Sequence, residues 1–207
     1  MNGKEFFLST KDDVKSRGSQ IANKVDEVFS WESESVSENS PGPVDSKESL
    51  IRALDQPTHW NRATKEYTPT AFNDAWTMGL SVYRHDFCEL EAVKNISDER
   101  VVGKMGGPAG NKEQRVVIGF TIFLCEELRS LRSCESPNNR VAVVLDTAND
   151  VKLIGQAHAD IFILPQESKL KKRIRSQLFE MAKERLYNRD GKQCNGEEIS
   201  RQVESSS

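Results

Sequence analysis

The chain of 207 residues is 36% hydrophobic and 29% charged, with a formal net charge of −3. That length suits one hydrophobic core of ordinary size, and the near balance of charge excludes a chain that is basic throughout, as a phosphate-tracking domain usually is, while leaving room for a local patch. No stretch reaches the about 18 apolar residues of a membrane span. MNGKEFFLSTKDD has neither the basic start nor the apolar centre of a secretory signal, so a cytoplasmic protein with no membrane partner is expected. Cys88, Cys125, Cys134 and Cys194 form no CxxC pair and keep no metal spacing with histidine; they read as reduced thiols, with no metal site.

Residues 1–47 differ in character from the rest. SQIANKVDEVFSW sets Ile21, Val25, Val28 and Phe29 on one helical stripe, with Ser19 as N-cap. A helix this short is marginal alone in water, so its apolar face must dock, either on its own domain or on a protein partner through residues 19–31. SWESESVSENSPGPVDSKES is rich in Ser, Glu and Pro and poor in apolar side chains, and so reads as a flexible linker.

Residues 48–188 carry a globular pattern. SLIRAL reads as a strand, PTHWNRATKEYTP as loop, and LSVYR as a second strand. HDFCELEAVKNI has helical spacing through Phe87, Leu90 and Ile96. RVVIGF at 115–120 reads as a third strand, and TIFLCEELRSLR after it as a helix with Ile122, Cys125, Leu128 and Leu131 on one face. RVAVVLD at 140–146 is apolar enough for a strand covered on both sides. HADIFILP alternates Ile161 and Ile163 against Phe162 and Leu164. ESKLKKRIRSQLFEMAKERLYN is a helix striped by Leu170, Ile174, Leu178, Met181 and Leu186, and residues 189–207 read as a disordered tail. Strands interleaved with helices give an α+β or α/β domain, a mixed sheet flanked by helices behind a mobile N-terminal helix and linker.

Four features bear on chemistry. GKMGGPAG at 103–110 suggests a phosphate cradle, but Pro108 removes a donor and a strand follows, which favours a flexible hairpin loop. KLKKRIR gathers Lys169, Lys171, Lys172, Arg173 and Arg175 within two helical turns. That cluster reads either as a solvated face or as a contact for nucleic acid or another anion. His158 shares a strand face with Asp160, an arrangement that serves a general base or satisfies a buried imidazole. His59 and His85 sit in polar, loop-like surroundings and read as surface residues. Arg52 lies in an apolar run, where its desolvation needs a carboxylate or a ligand phosphate. If the first two strands pair, Tyr67, Ser81 and Tyr83 surround it. An NAD-using ADP-ribosyltransferase needs such a set: a cation for the pyrophosphate, Tyr67 as platform for the nicotinamide, and hydroxyls for the ribose. A buried polar network that fixes packing uses the same residues.

SLIRAL, TPTAFNDAWTMGLSVYR, VVIGFTIFLCEELRSL and AHADIFILP, in that order, resemble the segment order of an uncharacterised group of small bacterial proteins across residues 48–185. The resemblance implies a single-domain cytoplasmic bacterial protein, transfers no activity, and marks Phe72, Ser81, Arg84 and His158 as positions to test. A resemblance to RES-type ADP-ribosyltransferases lacks their Gly-Gly-Arg-Trp signature. The leading expectation is a binding or accessory module that docks a protein partner through its N-terminal helix, with no cofactor. The alternatives are the NAD-dependent enzyme, with catalytic candidates Arg52, Ser81, Tyr83 and His158 and cofactor candidate Tyr67, and a nucleic-acid binder that uses the basic last helix.

Overall fold

The computed structural model describes residues 1–56, 58–61, 63–64, 66–103, 116–133, 139–148 and 155–205. The glycine-rich segment beyond residue 103 and Cys134 lie outside them. The strands are β1 (Ser49–Gln56), β2 (Trp60–Asn61), β3 (Glu66–Tyr67), β4 (Leu80–Arg84), β5 (Val116–Leu124), β6 (Ala142–Asp146), β7 (His158–Ile163) and β8 (Leu186–Asn188). Six of them form one sheet in the order β6-β7-β4-β1-β5-β8, and β2 pairs with β3 in a small hairpin within the segment expected to be loop. Every pairing in the sheet is antiparallel, so the fold is α+β.

Alternation decides how far β5 runs. Ile122 faces one apolar cluster and Phe123 the opposite one, so the period of two continues to Leu124 through residues read as helical, and α5 (Cys125–Ser130) starts only afterwards. One face of the sheet carries Leu50, Leu54, Leu80, Val82, Ile161 and Ile163 under α5, the 3-10 segment Pro69–Trp76, α6 (Ser168–Glu184) and α7 (Gly196–Ser205). α7 lies in the tail expected to be disordered. Its Ile199 is fully buried in that core, and Asn195 and Glu198 cap its start with reciprocal hydrogen bonds of 3.0 and 3.1 Å. Leu186 to Asn188, expected to end the last helix, instead form edge strand β8 against β5.

The second face is covered in two parts. α4 (Leu90–Gly103) sets Val93 and Ile96 over Ile51, Tyr83 and Ile122. Residues 1–47, expected as a mobile helix and linker, cover the other part: α1 (Gly3–Ser9), α2 (Arg17–Ala22), α3 (Val25–Val28) and the 3-10 segment Ser30–Ser33 bring Phe6, Phe7, Ile21, Val28 and Trp31 onto Val143, Leu145, Phe162 and Leu164. The expected continuous helix is broken. Ser19 lies inside α2 and bonds back to the Ser16 carbonyl at 2.7 Å, and Val25 points outward.

The acidic linker is ordered because its oxygens serve buried donors. At 2% exposure Arg84 is all but removed from water. Its Nε and Nη2 each reach the Glu48 carboxylate at 2.6 Å, and Nη1 and Nη2 reach the carbonyls of Gly42 at 2.5 Å and Pro43 at 3.2 Å. Glu32 accepts from Arg129 at 3.1 Å, from Arg140, and from the Val144 amide of edge strand β6 at 2.8 Å. A carboxylate thus occupies the outward N–H of Val144 on this edge strand. A low-apolar composition predicts disorder only when charges stay solvated, and here they do not. Glu48→Gln, which leaves the buried guanidinium uncompensated, is expected to cost about 3–5 kcal/mol by chemical denaturation, against under about 1 kcal/mol for the same change at exposed Glu126.

Candidate active site

Between the two apolar clusters on the second face runs a polar seam. Register builds it: Ser81 on β4 stands opposite Asp160 on β7, and Tyr83 stands opposite His158, so all four side chains leave the sheet on one side. Ser81 reaches diagonally to His158, Oγ to Nε2 at 2.6 Å. On its far side the His158 Nδ1 meets the Thr147 hydroxyl at 2.9 Å and the Thr147 carbonyl at 3.2 Å, and that hydroxyl meets Asp160 Oδ2 at 2.8 Å. The Tyr83 ring packs edge-on against the imidazole, centroids 5.7 Å apart.

Proton counting fixes the direction of this relay. A carboxylate only accepts, so Thr147 gives its single hydroxyl proton to Asp160. Its oxygen and the Thr147 carbonyl then both accept from Nδ1, which is where the ring proton sits when the imidazole holds one. Nε2 is left as a lone pair, and Ser81 donates to it. A serine hydroxyl bonded to a histidine lone pair, with that histidine oriented from behind, is the arrangement that activates a serine for attack. His158 is 8% and Asp160 6% exposed, whereas Ser81 is half-buried and retains contact with solvent.

Two glycines allow close backbone packing around the turn before β4. Gly18 in α2 donates its N–H to the Thr77 carbonyl, and a side chain there would run into the carbonyl of Trp76. Gly79, just before β4, has φ +99°, and a Cβ would stand 2.7 Å from Phe162 and 2.9 Å from Asp160. Next to Gly18, Arg17 donates to the Thr10 hydroxyl at 3.1 Å; burial lowers its pKa, and the charge of Asp160 opposes that shift.

The structure brings together only part of the expected set. Ser81, Tyr83 and His158 converge. Arg52 leaves β1 on the other face, with Leu50 and Leu54, so its guanidinium meets the backbone carbonyls of Ser81 at 3.0 Å and Ala71 at 3.5 Å rather than the Ser81 hydroxyl. Burial lowers its pKa, against the opposing charges of Asp74 and Asp55. Tyr67 is elsewhere again: its hydroxyl donates to the Phe179 carbonyl at 3.2 Å, its ring packs on Phe179, and burial pushes its pKa up. Arginine, platform and hydroxyls therefore do not line one NAD cleft. His59, expected at the surface, is buried beside Asp55, Nδ1 to carboxylate oxygen 2.7 Å, while His85 is exposed. Thr147 had no signal in the sequence, because only its place after β6 makes it the link between His158 and Asp160.

No family model, curated protein or solved structure matches the chain. Among the described residues no helix is long and apolar enough to cross a membrane, and no group of three metal-ligating side chains occurs. The described thiols are free and suppressed as nucleophiles: burial pushes Cys88 up to about 12, and Cys125 and Cys194 up to about 11.

Gly79→Ala, which forces a side chain into a left-handed backbone against Asp160, is expected to destabilise by at least about 1 kcal/mol in denaturant titration. The thiols give a pH prediction. Above the ordinary value of 9.0 the unfolded chain ionises Cys88 and Cys125 while the folded chain keeps them protonated up to about 12 and about 11. The unfolded state then binds fewer protons, so stability falls as pH rises through that window, and the Cys88→Ala/Cys125→Ala variant should show the shallower fall.

Proposed function

We propose that the protein is an enzyme that uses Ser81 as a nucleophile for acyl transfer or ester hydrolysis. The observation that supports this reading is the 2.6 Å bond from Ser81 Oγ to the His158 Nε2 lone pair, with the tautomer set by Thr147 and Asp160. In the reaction Ser81 Oγ bonds to the acyl carbon as its proton passes to Nε2; the leaving group departs with that proton, and water, deprotonated by the same nitrogen, releases the acid and restores Ser81. The developing imidazolium has the Thr147 oxygens at Nδ1, and the Asp160 charge polarises the Thr147 hydroxyl. In this role Thr147 and Asp160 are positioning residues.

The low exposure of His158 and Asp160 favours a second reading, a non-catalytic binding module in which the relay only keeps β4 and β7 in register. Docking through residues 19–31 would have to use their outer side, since Ile21, Val28 and Trp31 are spent on the sheet. The NAD-dependent alternative has little support, because Arg52, Tyr67 and Ser81 open onto different surroundings.

A fluorophosphonate probe separates these readings. The enzyme reading expects stoichiometric labelling at Ser81 located by peptide mass spectrometry, none in Ser81→Ala, and a rate at least about 100-fold lower in His158→Ala, with far-UV circular dichroism checking each fold. A folded wild-type protein that stays unlabelled, or a His158→Ala variant labelled at the wild-type rate, sinks it.

A further inference from the structure

The cations of this protein divide into two groups. Four buried or half-buried arginines take carboxylates, Arg84 with Glu48, Arg129 and Arg140 sharing Glu32, and Arg185 with Glu127, while Arg17 and Arg52 take hydroxyl and carbonyl oxygens. The first two turns of α6 do the opposite. Lys169, Lys172 and Arg173 are exposed and Lys171 is half-buried, and none of the four makes an ion pair among the described residues. Arg175 completes the cluster, its guanidinium 5.5 Å from the centre of the Trp76 ring. Five like charges over about 9 Å of helix repel one another, and they sit at the end where the helix dipole already disfavours cations. Glu167, at the N-cap, makes no side-chain capping bond. Single cations without an ion pair among the described residues occur elsewhere, Lys11, Lys47 and Arg201 among them, but no other seven described residues in a row gather five, so the cluster marks a surface whose counter-charge comes from outside.

We propose that this face of α6 binds the phosphate backbone of a nucleic acid without reading its sequence. The chemistry of the patch selects that partner. An anionic membrane surface holds a helix firmly when apolar side chains insert beside the cations, but the apolar stripe of α6, Ile174, Leu178 and Ala182, is buried in the core, which leaves such a surface the weaker partner. An acidic protein partner would need a desolvated anchor at the centre of its footprint, and lysine-rich surfaces are depleted at such interfaces. Phosphates need only a row of flexible, solvated cations. Because α6 covers the sheet face opposite to Ser81, this surface is independent of the relay, and the nucleic acid is not placed at the serine.

The test is fluorescence anisotropy of the full chain with a labelled duplex of about 20 base pairs of arbitrary sequence, titrated from about 20 to about 200 mM KCl. Binding at low salt is expected, equal for two unrelated sequences, with a slope of log affinity on log salt of about −4 for four to five phosphate contacts. Lys169→Glu/Lys172→Glu, both on the solvent side, should weaken binding by at least about tenfold and reduce the slope by about 2, with circular dichroism unchanged. No binding at about 20 mM salt, binding that survives the charge reversal, or equal affinity for polyglutamate or for phosphatidylserine vesicles would overturn the proposal.

Discussion

A guanidinium cannot be taken out of water without oxygens around it, and Arg84 at the end of β4 imposes that constraint on the whole architecture. Two of its acceptors are backbone carbonyls of residues 42 and 43, and the carboxylate is that of Glu48. The chain before the first strand must therefore pass over the end of the sheet. Arg129 adds to the constraint through Ser46 and the Val44 carbonyl at 2.9 Å each. Pinned at these points, the preceding residues are delivered to the outer edge of β6, where Glu32 meets the Val144 amide and Phe6, Ile21 and Trp31 find the apolar face of β6 and β7. The polar segment thus positions the apolar one.

This arrangement also creates the seam. Had one long helix covered the second face, His158 and Asp160 would lie under apolar side chains with nothing but each other. Two separate covers, α4 on one side and the N-terminal segment on the other, meet along a buried polar seam between β4 and β7, in which Ser81 is the relay residue that keeps partial contact with solvent. The relay satisfies its own donors and acceptors, which lets it persist at low exposure. The same order suits catalysis, since a base whose tautomer is preset needs little reorganisation when it takes a proton.

The site and the basic helix lie on opposite sides of one sheet, and they use charge in opposite ways. Around Ser81 the charges are few, partly buried and bonded in a definite geometry. On α6 they are many, solvated and unpaired, so geometry matters little and ionic strength matters greatly. A net charge of −3 conceals this division, because acidic residues spread along the rest of the chain offset the α6 cations in the total.

The sequence by itself determined the faces of the strands. Ile161 and Ile163 lie on one side of β7 and Phe162 and Leu164 on the other, with His158 and Asp160 on the Phe162 side, because side-chain direction along a strand is a local property of period two. It also determined the apolar stripe of the last helix and the doubly covered character of β6. Only tertiary structure decided that Ser81, rather than Arg52, meets His158: adjacent strands bring same-parity residues together, and the register placing Ser81 opposite Asp160 is set by long-range packing. Only tertiary structure, too, ordered residues 1–47 and 189–205. Their composition has too few apolar side chains to fold alone, and the buried arginines, the β6 edge and the pocket for Ile199 that hold them in place lie far away along the chain.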